Sequence, residues 1–398
     1  MYVFILLSLE LVINNSRKQD NRINIMKEAC VVGFGMIDGL GDNPIDCWNN
    51  MLNDQDFHKP IDPHVHENHG LKVKTAFYPD MEIDEELQPR TVAYGMYAVE
   101  QALYMANLPH SSNVGVIFSS LTGGNSTTAK IEIEGRTQKP KQRIRSTVDY
   151  LCSQISIKYG YTGINTMVYS ACATGLVSID YAIRMLDEYD YVIVGGSDAG
   201  VNAMDLRLFS TIKAIGSKSM PFDKNRDGFI MGEGAGCIIL QSREKAEKMN
   251  SRVYARITGI ANASDAHNPT APSGAGARAC LEKLDLEGVD SVNSHGTSTP
   301  IGDIVEYNVT REFTDAPIYS NKGKIGHTMA AAGVLETIYS ILSIQNGVIP
   351  HTAGCKDTDM DIVTENIEAD VKKILVNSFG FGGKCCAIIV ENKIIGEI

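Results

Sequence analysis

The 398-residue chain has no apolar run long enough to cross a membrane, no basic block that dominates the sequence and no paired framework of cysteines. Its apolar opening, Tyr2 to Ile13, is interrupted by Glu10 and is short, whereas a bilayer span needs roughly 20 residues. That stretch also lacks the positive n-region and small-residue cleavage site of a secretory signal, so neither membrane insertion nor export is expected. Lysine and arginine total 36 against 48 acidic residues, a net charge of −12, which argues against a dedicated nucleic-acid binder. The nine cysteines, at 30, 47, 152, 172, 237, 280, 355, 385 and 386, show no disulfide spacing. A cytoplasmic, reducing setting is the expectation. Adjacent Cys385 and Cys386 read as buried strand residues.

Two further motifs are incomplete. Gly33-Phe-Gly35 resembles the start of a dinucleotide fingerprint, but the third glycine and the acidic partner are missing, so a structural use and no NAD are expected. His58, His64, His66 and His69 cluster in a Pro-rich polar stretch without cysteines or helical spacing, which reads as a solvated loop and not as a metal site.

The composition that is present, 43% hydrophobic and 21% charged, is that of an ordinary globular protein, and the length predicts two packed lobes. Strand patterns at 29–32 and 114–118 alternate with helical ones at 44–52 and 91–106. A second series starts near Arg252, with a strand from Val253 and a helix from Gly276 to Leu284. This alternation implies an α/β architecture of parallel strands covered by helices.

The reactive residues fall in small-residue turns. Cys172 sits in Tyr-Ser-Ala-Cys-Ala-Thr-Gly (169–175), between a segment that reads as a buried strand (164–169) and a helical pattern through Leu176, Ile179, Ile183 and Leu186. At a helix N-terminus the free amides and the dipole favour a thiolate, the nucleophilic form. Two histidines follow, His295 in Asn-Ser-His-Gly-Thr-Ser-Thr-Pro (293–300) and His327 in Gly-His-Thr-Met-Ala-Ala-Ala-Gly (326–333). One thiol and two imidazoles in such turns suggest acyl transfer.

With Pro-Phe-Asp-Lys-Asn-Arg-Asp-Gly-Phe (221–229), Lys322 to Gly333 and Asn-Ser-Phe-Gly-Phe-Gly-Gly (377–383), these turns make the chain resemble the β-ketoacyl-[acyl-carrier-protein] synthases. The likeness is to their elongating branch in the thiolase superfamily. It implies an α/β thiolase fold, a duplicated five-layer α-β-α-β-α arrangement, with halves at 26–250 and 251–398. Met26 begins a segment like the family's opening strand, so residues 1–25 read as a non-native or disordered extension.

The resemblance also implies roles. Cys172 would carry the acyl group, with the N–H groups of Cys172 and Phe381 as oxyanion hole and Phe381 as gate. His295 and His327 would polarise the malonyl thioester. Lys322 would order the polar shell, paired with supporting Glu306, and Thr297 and Thr299 would bind the pantetheine arm. No metal or cofactor is implied, since substrates ride on the phosphopantetheine of an acyl carrier protein. The basic run Arg136, Lys139, Lys141, Arg143 and Arg145 is the expected docking surface for that acidic partner, and a solvated face is its alternative.

A homodimer is implied, or a heterodimer as in polyketide systems. Fatty acid elongation is the activity expected. The alternatives are a specialised polyketide or aryl-polyene ketosynthase, or a non-condensing chain-length partner subunit. Departures from the family pattern lie at Lys384-Cys385, at the segments 139–148 and 210–221, and at Ser119 to Gly124, where Leu121 or Thr122 could shorten or polarise the acyl tunnel.

Overall fold

The computed structural model describes residues 28–66, 73–108 and 113–392. The expected extension at 1–25 lies outside them, as do His69 and the side chains of His64 and His66.

The main sheet has ten strands, and their arrangement repeats. The first set comprises β1 (Ala29–Ile37), β2 (Val114–Ser119), β3 (Asn165–Thr166), β4 (Tyr191–Ala199) and β5 (Glu233–Ser242). The second comprises β6 (Ala255–Ser264), β7 (Ser291–Asn293), β8 (Ile318–Tyr319), β9 (Lys373–Gly380) and β10 (Lys384–Glu391). In space the first set runs β1-β5-β4-β2-β3 and the second β6-β10-β9-β7-β8. Within each set the fifth strand is antiparallel to the first and fourth, while the second is parallel to the fourth and third. The same order and the same directions twice over constitute a duplication. A short antiparallel run, Ala29–Val31 against Ala255–Ile257, joins β1 to β6 and makes the ladder continuous.

Helices form the remaining layers. α1 (Arg90–Ala106) and α2 (Tyr150–Tyr159) cover the outer face of the first set, and α4 (Ala275–Leu281) with α5 (Gly302–Arg311) covers the second. Between the sets lie α3 (Thr174–Met185) and α6 (Ala332–Asn346). The sequence of α6 is apolar around most of its circumference, and it is buried from Ala332 through Ile344, as expected of a helix enclosed on all sides. Gly33 and Gly35 let α1 lie directly on β1: a Cβ on Gly35 would stand 2.2 Å from the Ala98 carbonyl oxygen. Their use is packing.

Two local expectations are corrected. The segment 164–169 is not a buried strand: only Asn165–Thr166 pairs, with β2 alone, at the edge of the sheet. Pairing on one side leaves Tyr169 exposed. His58 is only partly solvated; its ring lies 4.2 Å from that of Phe77 and its Nδ1 meets Asp56 at 2.5 Å.

The repeat places the reactive loops. Cys172 lies between β3 and the central helix α3, and His327 between β8 and the central helix α6, which are equivalent positions of the two sets. His295 follows β7 and Phe381 follows β9, so these loops gather beyond strand C-termini, where ligands collect in such sheets.

Candidate active site

Three side chains from three loops converge. The ligand atoms of Cys172, His295 and His327 all lie within 4.8 Å of one another, and all three residues are buried. The two imidazole rings meet edge to face at 5.3 Å. Small residues permit the approach: a Cβ on Gly175 of α3 would stand 2.9 Å from Ala330 O and from Val334 N, and one on Gly333 of α6 2.8 Å from Leu176 Cγ. Bulkier residues there would hold the central helices, and hence Cys172 and His327, apart.

The nucleophile turn is sharp. Ala171 has φ +48°, a left-handed conformation that costs a non-glycine residue of order 1–3 kcal/mol. Neighbouring bonds hold it: Ser170 N donates to Thr174 Oγ1 at 2.8 Å, and Ser378 Oγ to Cys172 O at 3.0 Å. Gly380 packs on the turn, its absent Cβ leaving room for Cys172 N at 2.9 Å. The backbone N–H groups of Phe381 and of Cys172 itself face the sulfur. Burial nonetheless dominates and pushes the Cys172 thiol up to about 11. Desolvation thus outweighs the pull of the amides and of the Lys322 charge towards the thiolate.

Each histidine is fixed in one tautomer. Met329 N donates to His327 Nδ1 at 3.2 Å, and Lys322 Nζ lies 3.3 Å from His295 Nδ1 as its donor. With both Nδ1 atoms accepting, the proton of each neutral ring sits on Nε2. Burial and the Lys322 charge hold both imidazoles well below their ordinary range, and His327 adds to the effect at His295. His327 Nε2 is buried without a hydrogen-bond partner. The site thus presents neutral N–H donors, a set that suits a developing oxyanion. A metal ion would need the opposite tautomers, against the Met329 amide and the Lys322 ammonium, so the donor set does not fit one.

A cavity of about 380 Å³ leads from these residues to the surface. Phe381, Thr297, Thr299 and Glu306 line it along with Cys172 and both histidines, and Lys213, Thr270 and Ile301 stand at its exposed end. The hydroxyls of Thr297 and Thr299 are 3.1 Å apart. Lys139, Lys141, Arg143 and Arg145 do not line the cavity, nor does Arg136, which pairs with Glu86 and Glu134.

Family models for the beta-ketoacyl synthase N-terminal domain and C-terminal domain match residues 26–246 and 254–356. The chain belongs to the beta-ketoacyl synthase family. Among relatives, 3-oxoacyl-[acyl-carrier-protein] synthase 2 of Coxiella burnetii (strain RSA 493 / Nine Mile phase I) is 29% identical, over 90% of this chain and 96% of its own. The mitochondrial 3-oxoacyl-[acyl-carrier-protein] synthase of Arabidopsis thaliana is 30% identical, over 91% of this chain and 93% of its own. A solved structure, the ishigamide ketosynthase/chain length factor, superposes with a TM-score of 0.84 at 27% identity, covering 92% of this chain and all of that one. The thiolase fold expected from the sequence is the fold of these ketosynthases.

Within that family frame one pairing differs from expectation. Lys322 is bonded to Glu336, and Glu306 is not its partner. Glu306 instead accepts the His295 and Gly296 amides at 2.7 and 2.8 Å, and so shapes the His295 loop. Glu336 lies mid-helix in α6, and the one signal of it in the sequence is a single acid in a helix with no other charged residue. Behind Phe381, where the sequence departs from the family pattern, backbone bonds hold the loop: Gly382 N to Pro269 O at 2.7 Å and Asp265 N to Gly383 O at 2.8 Å. Lys384 is exposed, and Cys385 is buried and lines the cavity.

Proposed function

We propose that this protein condenses an acyl-enzyme thioester with malonyl-acyl carrier protein, releasing carbon dioxide and giving a 3-oxoacyl-acyl carrier protein in fatty acid biosynthesis. The observation that carries the reading is the convergence of the Cys172 sulfur with two neutral imidazoles whose Nε2–H groups are free to donate. The relatives' names point to the same reaction.

In the first half-reaction the acyl group passes from pantetheine sulfur to Cys172 Sγ. The exchange is proton-neutral, since the proton of the Cys172 thiol ends on the departing pantetheine sulfur. The N–H groups of Cys172 and Phe381 stabilise the tetrahedral oxyanion, each good donor contributing about 3 kcal/mol in the transition state. In the second, His295 and His327 donate to the malonyl thioester oxygen while the C–CO₂ bond breaks. The resulting enolate carbon attacks the acyl carbonyl, the C–S bond to Cys172 breaks, and the sulfur regains one proton from solvent. Lys322 holds His295 in its donor tautomer, Thr297 and Thr299 bind the pantetheine arm, and Phe381 gates the nucleophile. No cofactor takes part in this scheme.

The carrier protein docks at the exposed end of the cavity, beside Lys213, with the basic run 136–145 as a second candidate. No helix among the described residues is long and apolar enough to cross a membrane, and a cytoplasmic enzyme is the setting we favour. Edge strand β3, paired on one side only, with exposed Tyr169 beside it, favours a homodimer joined there.

A specialised polyketide ketosynthase is the second reading, favoured by the likeness to the ishigamide protein. A non-condensing partner is disfavoured by the intact Cys-His-His set. Intact mass after incubation with a panel of acyl-carrier proteins tests these readings. A single acyl adduct is expected on the wild type and none on Cys172→Ala. His295→Ala and His327→Ala should acylate while losing malonyl decarboxylation about 100-fold or more. An adduct on Cys172→Ala, or decarboxylation intact in both histidine variants, rejects the scheme.

A further inference from the structure

Asp198, at the end of β4, is fully buried and has no place in the scheme above. Its carboxylate is a junction. Oδ1 accepts Ser120 Oγ at 2.8 Å, Leu121 N at 3.0 Å, Thr122 N at 2.8 Å and Thr122 Oγ1 at 2.8 Å. Oδ2 accepts Ala330 N at 2.7 Å. Every contact is a donor, so the group acts as an acceptor-only carboxylate. Among the described residues it has no cationic partner, and hydrogen bonds alone hold it.

Ala330 belongs to the turn that follows His327. In that turn Met329 has φ +52°, a conformation a non-glycine side chain keeps only under constraint. The Met329 amide is the donor that fixes His327 Nδ1 as an acceptor. The next two peptides are tied as well: Ala330 N donates to Asp198 Oδ2, and Ala331 N to Thr328 O at 3.0 Å. Gly196, two residues before Asp198, leaves room for the same turn: a Cβ there would stand 2.3 Å from Ala330 O.

We infer that Asp198 is a positioning residue for the decarboxylation step: its bond to Ala330 N holds the strained Met329 peptide so that His327 keeps its proton on Nε2. The carboxylate acts through the histidine and does not touch substrate. Because Oδ1 holds the Ser120–Thr122 loop, the same residue ties that loop to the His327 turn. This inference rests on the proposed role of His327 in the second half-reaction.

Asp198→Asn tests it, since the amide is isosteric but turns an N–H towards the Ala330 N–H. Malonyl decarboxylation and self-acylation of Cys172 are measured on the same preparations, with Ser120→Ala, which removes one bond to Oδ1, and His327→Ala alongside. The ratio of decarboxylation to acylation should fall about tenfold or more in Asp198→Asn and stay within about twofold of wild type in Ser120→Ala. Equal loss of both half-reactions, an unchanged ratio, or an equal effect of Ser120→Ala overturns the inference. Side-chain ¹⁵N shifts of His327 give a readout that does not depend on activity. Wild type should show a protonated Nε2 and an unprotonated Nδ1, and a protonated Nδ1 there overturns the inference. If His327→Ala decarboxylates normally, the proposed role of His327 fails. The nitrogen shifts of wild type and Asp198→Asn then still settle whether Asp198 fixes the tautomer.

Discussion

The Lys322 ammonium is held between the Glu336 carboxylate and His295 Nδ1, 3.3 Å away, and thereby sets which nitrogen His295 presents to the cavity. Both charged residues are essentially excluded from water, Lys322 at 1% exposure and Glu336 at 0%. Glu336 has its carboxyl pushed up to about 7 by burial even though the ammonium opposes that shift. The pair is an electrostatic device inserted into an apolar helix layer, where a lone charge would not be tolerated.

Removing one partner should therefore cost both stability and chemistry. Lys322→Met leaves Glu336 without its cation and His295 Nδ1 without its donor. Unfolding free energy should fall by about 3–5 kcal/mol, and decarboxylation should fall about tenfold or more relative to self-acylation. Denaturant unfolding with half-reaction assays checks both. A normal decarboxylation rate in a folded Lys322→Met protein would falsify the tautomer argument. The stability loss should shrink as pH is lowered towards 7 from above, because without the ammonium that lowers it Glu336 protonates above the value of about 7 it has beside Lys322, which removes the uncompensated charge.

The raised Cys172 thiol makes a second prediction, on pH. With the folded value at about 11, the thiolate fraction is small at pH 7 and grows tenfold per unit until the pKa is approached. Alkylation of Cys172 by iodoacetamide, read by intact mass, should accelerate about tenfold per pH unit from 7 to 9 with no plateau in that range. A plateau below pH 8 would show that the amides of Cys172 and Phe381 outweigh burial.

Much of this arrangement was legible in the sequence because it is local. The helix expected over 44–52 forms over those residues, with Asn43 capping it and Pro44 at its first turn. The cysteine turn and both histidine turns lie where strand gives way to helix, since small residues and periodicity mark such junctions. The Lys322–Glu336 bond was not legible, because its partners sit on different elements brought together by the packing of α6. Nor was the state of the thiol. A sequence shows that a cysteine precedes a helix, but only the fold shows how completely α3 and the loop after β9 exclude water from the sulfur.

Carrier docking supplies the last prediction. The pantetheine arm must enter at the exposed end of the cavity, so an acidic carrier has to settle around it on a protein of net charge −12. A positive side chain at that point lowers the cost of approach, and with a Debye length of about 8 Å at physiological salt only nearby charges count. Lys213 lines the opening, is exposed and makes no ion pair among the described residues. Within the basic run, Arg136 is already neutralised by Glu86 and Glu134, and Arg145 donates to Leu87 O, whereas Lys141 and Arg143 are exposed. Lys213→Glu should raise KM for carrier-bound substrates roughly tenfold while changing reaction with small pantetheine thioesters less than twofold or so. The double variant Lys141→Glu/Arg143→Glu should show a smaller effect of the same kind, and added salt should reduce both. Equal changes for carrier-bound and free thioesters would place Lys213 in the binding of the arm itself, and no change for either would return this rim to ordinary solvated surface.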